Sequence, residues 1–167
     1  QLIQRCSNKW DISEKRVKDT LSPKSSVFES LPWKVIFNDE LRNTVAIADV
    51  HLRTAIIKTI LKLGNGEWPK FELVNPLVPE KHNQVIHVHR VLLYRLVWSV
   101  DVCQVTCTQI LKLWNAVLPK MLPQAIQRVV SILDRYSPEY LERCTDKLKD
   151  GSNYVPKKWN ASIPFNW

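Results

Sequence analysis

A chain of 167 residues, 45% of them apolar and seven of them Trp, is long enough to bury one core and rich in side chains that need burial, so disorder is not expected over most of it. Its formal net charge of +8 favours phosphate-bearing partners, although a global excess does not by itself place the charges in one patch. No window approaches the roughly 18 apolar residues of a membrane-crossing helix, because "VLLYRLVWSV" is interrupted by Arg95 and followed by Asp101.

The first residues, "QLIQRCSNKWD", show neither a basic nor an apolar leader region and read as the start of a fragment of a longer chain. Ile12, Val17 and Leu21 recur at helical spacing, with Ser13 as a cap, which predicts a short leading helix closed by "SPKSS". Just after Pro32, Trp33, Val35 and Phe37 alternate with Lys34 and Ile36, the pattern of a strand. Leu41, Val45, Ala48, Leu52, Ile56, Ile60 and Leu63 then recur every three or four residues. This is a helix or helical hairpin begun at Asn38 and Asp39, recapped at Asp49 and stopped at Gly64 to Gly66.

Three strand-like runs follow: "FELVNPL", then "NQVIHVHRV" joined to "LLYRLVWSVDV" by a turn near Val91 to Leu93, then "TQILKLW". In the central run Tyr94, Leu96, Trp98, Val100 and Val102 share the face expected to meet the helices, and Leu93, Arg95, Val97, Ser99 and Asp101 share the other. Pro123 suits a first helical turn ahead of the stripe Ala125, Ile126, Val129, Val130, Ile132 and Leu133. Another helix is predicted from Ser137 and Pro138 to "KLKDG", with Gly151 as its stop, and the tail "VPKKWNASIPFNW" has no period. The predicted organisation is a helical extension and linker over 1–31, an α+β domain over 32–118, a helical pair over 119–151 and an irregular tail over 152–167.

The phrases "WKVIFNDEL", "IIKTILKLGNGEW" and "YRLVWSVD", in the order strand, helical hairpin, antiparallel strands, resemble the RelE/ParE toxin fold over about residues 33 to 118. More of the chain, through "PWKVIFNDELR", "LLYRLVWSVDV", "QILKLWNAVLP" and "YSPEYLERCTDKLKDG", is similar to a non-ATPase segment of large plant senataxin-like and UvrD-like helicases, grouped with TPR and ankyrin repeat-containing proteins. Together the resemblances imply an α+β fold with a RelE-like antiparallel sheet and hairpin, extended by helices at both ends. The second implies a noncatalytic accessory module that contacts RNA, DNA, a protein partner or other domains of the same helicase-like protein. The alternative is a RelE-like ribonuclease or its degenerate, RNA-binding descendant.

Three glycines in total cannot supply a Walker-type phosphate loop, so the segment itself is not expected to hydrolyse ATP, and no cofactor is expected. RelE-type nucleases place basic and aromatic groups on the open sheet face, where this chain has Lys112 and Trp114, but the Arg, His or Tyr expected just beyond them is absent. Phosphate binding asks less, since a cation beside an aromatic ring can hold a backbone and stack a base without proton transfer. Arg90, Tyr94, Arg95, Lys112 and Trp114 are the candidates, unless the C-terminal helices cover this face and make Trp114 core with the charges at its rim.

His87, His89, Cys103 and Cys107 offer the ligand chemistry of zinc, but the cysteines flank "QVT" between two strands rather than forming a tight knuckle, so no metal is expected. Cys6, Cys103, Cys107 and Cys144 lack the spacing of a disulfide framework, which with the discounted "NAS" at Asn160 suggests an intracellular setting, nucleus or cytoplasm.

Overall fold

The computed structural model describes residues 21, 25–69 and 75–163, so the predicted leading helix lies outside the described residues apart from Leu21. The class is α+β. Strand β1 (Val35–Phe37) is followed by helices α1 (Asp39–Ile47) and α2 (Val50–Gly64). Strands β2 (Ile86–Val91), β3 (Tyr94–Cys103) and β4 (Thr108–Val117) come next, then helices α3 (Leu122–Leu133) and α4 (Pro138–Thr145), and the hairpin β5 (Leu148–Asp150) and β6 (Asn153–Val155). Within "FELVNPL", Phe71 to Val74 lie outside the described residues and Asn75 to Leu77 lie outside any strand.

The main sheet runs β1-β4-β3-β2. Its β2–β3 and β3–β4 ladders are antiparallel, while β1 joins β4 in parallel with Val35 opposite Leu111, so the sheet is mixed. Between Val97 and Trp98 the register to β4 shifts from Asn115 to Leu113, which leaves Trp114 as the extra residue of a bulge.

Local chemistry fixes the helix ends. Asn38 caps α1 through its side chain, and Asp49 accepts from the Leu52 N–H at 2.9 Å at the start of α2. After α2, Gly66 takes a φ of +82°, and a Cβ there would meet the Tyr154 carbonyl oxygen at 2.0 Å, so only Gly fits. The tight α1–α2 corner is locked by buried Arg53, whose guanidinium donates to the Val45, Ala46 and Ala48 carbonyls.

One face of the sheet, with Val35, Leu96, Trp98, Val100, Leu111 and Leu113, buries against Leu41, Val45, Ile56 and Ile60 of the hairpin. On the opposite face Val97 and Trp114 pack with Leu122, Ile126, Val129 and Leu133 of α3 and with Tyr136 and Tyr140. The face assignment of β3 follows the sequence alternation except at Val102, which joins the second cluster. Its ladder partner Gln109 holds the Arg143 and Asp146 carbonyls at the end of α4.

Helix α4 ends at Thr145, six residues before Gly151. Leu148 to Asp150 form a strand, and Gly151, at φ +63°, turns the hairpin rather than stopping a helix. The tail also contributes order: Tyr154 stacks on Trp68 at 4.7 Å and its carbonyl accepts from Trp33 Nε1, while Lys158 bridges to Thr108 beside β4. No helix among the described residues is long and apolar enough to cross a membrane.

Candidate functional site

The five candidate contact residues separate into two groups along β3 and β4. Lys112 stands opposite Ser99, whereas Arg95 stands opposite Val117. Those positions are four residues apart along β3, about 13 Å at the rise of a strand.

At the first position the cover formed by α3 and α4 is closed. Trp114 is only 6% exposed and donates through Nε1 to Ser99 Oγ at 2.8 Å, so its ring is core and offers no stacking platform. Lys112 Nζ lies over that ring at 4.7 Å and 3.8 Å from Asp101 Oδ2, at the rim of a cleft of about 310 Å³.

Asp101, a residue without a functional assignment in the sequence, organises this end. Its carboxylate is 4% exposed and accepts from the Tyr136 hydroxyl at 2.6 Å, the Tyr140 hydroxyl at 2.5 Å and the Val102 N–H at 2.7 Å. Burial first, and then the negative charge of Asp101, pushes both tyrosine hydroxyls above their ordinary range. Cys144 is raised for the same two reasons. These groups are protonated at neutral pH, which suits donors to a carboxylate and not bases or nucleophiles.

At the other end β2 and β3 meet in a two-residue turn, Leu92–Leu93, closed by the pairing of Val91 with Tyr94. Arg90 and Arg95 are direct cross-strand partners. Like charges in that position are unfavourable. Among the described residues neither meets a carboxylate: Arg90 Nε donates to the Leu92 carbonyl at 3.3 Å and Arg95 Nη1 to the Tyr94 carbonyl at 3.1 Å. Tyr94 itself packs against the first core.

The turn is also apolar and exposed. Leu92 and Leu93 are 54% and 72% exposed, and Ile47, at the end of α1, is 77% exposed. Together with Ala48, Leu52 and Tyr94 they line a cleft of about 480 Å³. Leu92 holds φ at +53°, the left-handed region that Gly or Asn normally fills in such turns. Two leucines where a hairpin favours Asn-Gly were the available sequence signal for this surface. The Asp101 cluster was harder to find, because Tyr136 and Tyr140 reach it only once α4 has docked.

The metal-ligand candidates do not converge. His87 pairs with Trp98 and His89 with Leu96, while Cys103 lies five residues farther along β3, about 17 Å from the level of His87. Among the described residues no three His, Cys, Asp or Glu side chains are grouped so as to hold a metal ion. His87 packs its ring against Trp98 at 4.5 Å, and burial, with Lys147 nearby, lowers it to about 3 against an opposing backbone hydrogen bond at Gln84. Burial and then Lys62 lower His89 as well. Cys103 is held below its ordinary range mainly by a hydrogen bond with the Thr106 side chain.

No protein-family model, curated protein or solved structure matches the chain.

Proposed function

We propose that this chain is a noncatalytic interaction module whose contacts are made to protein rather than through a nucleic-acid-binding sheet face. The observation that carries it is the burial of Trp114 beneath α3, with Lys112 committed to Asp101 on the same face. Stacking a base beside a phosphate contact needs an exposed ring next to an exposed cation, and on this face the ring is buried and the cation lies against a carboxylate. In the 310 Å³ cleft the hydroxyls of Tyr136 and Tyr140 are both pushed away from base or nucleophile chemistry, which supports a noncatalytic role. The similarity of its phrases to a non-ATPase helicase segment supports an accessory place within a helicase-like protein.

The test is anisotropy with labelled single-stranded RNA and DNA across a salt series, with RNA integrity followed on a gel. Expected are intact RNA and only weak, salt-screened binding, Kd about 10⁻⁴ to 10⁻⁶ M, unchanged by Lys112→Gln. Sequence-selective binding that Lys112→Gln abolishes, or cleavage of the RNA, would replace this function with a nucleic-acid one.

A further inference from the structure

We propose that Cys103 and Cys107, at the two ends of the β3–β4 turn, are a site of reversible oxidation, where a peroxide converts the two thiols into an intrachain disulfide. The inference is independent of the interaction-module function.

The turn holds the pair within reach. Cys103 pairs with Thr108 across the ladder, and Gln104, Val105, Thr106 and Cys107 form the loop between them. The Cys107 N–H donates to the Cys103 carbonyl at 2.8 Å. That bond keeps their Cα atoms no more than about 6.7 Å apart, inside the span that a disulfide bridges. The turn is also pinned from outside: the Cys107 carbonyl accepts from the Trp159 N–H at 2.9 Å, and Gln104 Nε2 donates to the Ile163 carbonyl at 3.2 Å. Cys107 Sγ meets the Gln104 carbonyl only at 3.9 Å, a weak contact that a side-chain rotation gives up at little cost.

The loop also assigns the order of events. Both thiols are free and half-exposed, and Val105 at the tip is 92% exposed, so a small oxidant and a thiol reductant reach them. A hydrogen bond from the Thr106 side chain favours the thiolate of Cys103, and the N–H groups of Thr106 and Val105 add to it, which makes Cys103 the attacking sulfur. Its sulfur forms an S–O bond with one peroxide oxygen, the O–O bond breaks, and the departing hydroxide takes a proton and leaves as water. Cys107 then attacks the sulfenic sulfur: the S–S bond forms, the S–O bond breaks, and a second water leaves with the Cys107 proton. Two electrons and two protons pass from the thiols to the peroxide. Cys107 stands at φ +54°, a region that Gly or Asn visits at less cost, so the loop carries a sulfur there against its backbone preference. Cys144 takes no part, since it is 1% exposed and burial, then Asp101, raises its thiol.

Treating the intact chain with hydrogen peroxide, alkylating it and digesting it with trypsin tests this, because Leu96 to Lys112 is released as one peptide with both cysteines. Expected is a peptide lighter by two hydrogens and unalkylated, returned to two alkylatable thiols by glutathione. Cys107→Ser should stop at a sulfenic acid on Cys103 that dimedone traps, and Cys103→Ser should slow the loss of the Cys107 thiol about tenfold or more. The wild-type peptide decides the question even where a variant misfolds. Two alkylatable thiols remaining after glutathione in the same tube is oxidised, a bridge to Cys6 or to a second chain instead, or a Cys107 thiol lost at the wild-type rate in Cys103→Ser would each overturn the proposal.

Discussion

At the Cys103 end of β3 a buried carboxylate, Asp101, is met by two tyrosine hydroxyls, a backbone N–H and a lysine, and the helices above it close over the ring of Trp114. At the Tyr94 end of the same strand two arginines face each other without a carboxylate, and two leucines project from a turn that disfavours one of them. The first arrangement satisfies every strong polar group and ties a cover to the sheet. The second sets two like charges opposite each other and leaves large apolar side chains exposed. Variants at the first end should therefore be felt strongly in stability, and variants at the second far less.

The largest effect is expected from Asp101→Ala. It removes the acceptor shared by Tyr136 and Tyr140 and leaves Lys112 without its counterion. Breaking a buried charged network by deleting one partner costs about 3–5 kcal/mol, read as a shift in the urea midpoint. Tyr136→Phe deletes one hydroxyl and should cost about 1–3 kcal/mol, since it leaves the carboxylate under-satisfied. If Asp101→Ala unfolds with the wild-type midpoint, the contrast between the two ends collapses.

His87 lies between the ends and sharpens where the sealed part stops. Burial holds its pKa at about 3 against an ordinary 6.5, so in the folded chain it stays neutral while the unfolded chain takes up a proton. Its contribution to stability is fully present above pH 6.5 and is lost as pH falls toward 3. Between neutral pH and pH ~4.5 the loss should reach up to about 3 kcal/mol, and His87→Phe, which keeps a ring against Trp98, should flatten that slope. Asp134, held low chiefly by its hydrogen bond with His82, loses its contribution only as pH falls below the ordinary carboxylate range, and its half-exposed side chain keeps that contribution small. A slope at pH ~4.5 that survives His87→Phe would assign it to other groups, among them His89, which burial also lowers.

What the sequence made legible was local. The caps at Asn38, Asp49 and Ser137, the turn after Val91 and the inward set Leu96, Trp98 and Val100 all follow from short-range rules, and all stand in the fold. What failed was either too short or too distant to leave a pattern. Leu148 to Asp150 and Asn153 to Val155 are three-residue strands, and a Gly after "KLKD" serves a helix stop or a hairpin turn equally well. The parallel pairing of β1 with β4 joins residues more than seventy positions apart, and nothing within Val35 to Phe37 names that partner. The proposed contact residues do not form one patch: Arg90 and Arg95 pair beside the β2–β3 turn, whereas Lys112 and Trp114 lie under the cover of α3 and α4, because the bulge at Trp114 and the docking of α3 are tertiary events.

The smallest effects are expected at that turn. Leu92 pays for its left-handed backbone, a conformation that costs a residue with a Cβ about 1–2 kcal/mol and costs Gly almost nothing. Part of the gain in Leu92→Gly is offset by the greater freedom of Gly in the unfolded chain, so a net stabilisation of about 0.5–1 kcal/mol is expected, seen as a higher urea midpoint at unchanged slope. Leu93→Ser removes an exposed side chain that the fold does not use, and should stay within about 0.5 kcal/mol of wild type. The two variants thus separate backbone strain from side-chain burial at neighbouring residues: one stabilises and one is neutral. If Leu93→Ser instead destabilises the chain by as much as Tyr136→Phe, the leucine belongs to the core and the Tyr94 end of β3 is sealed after all.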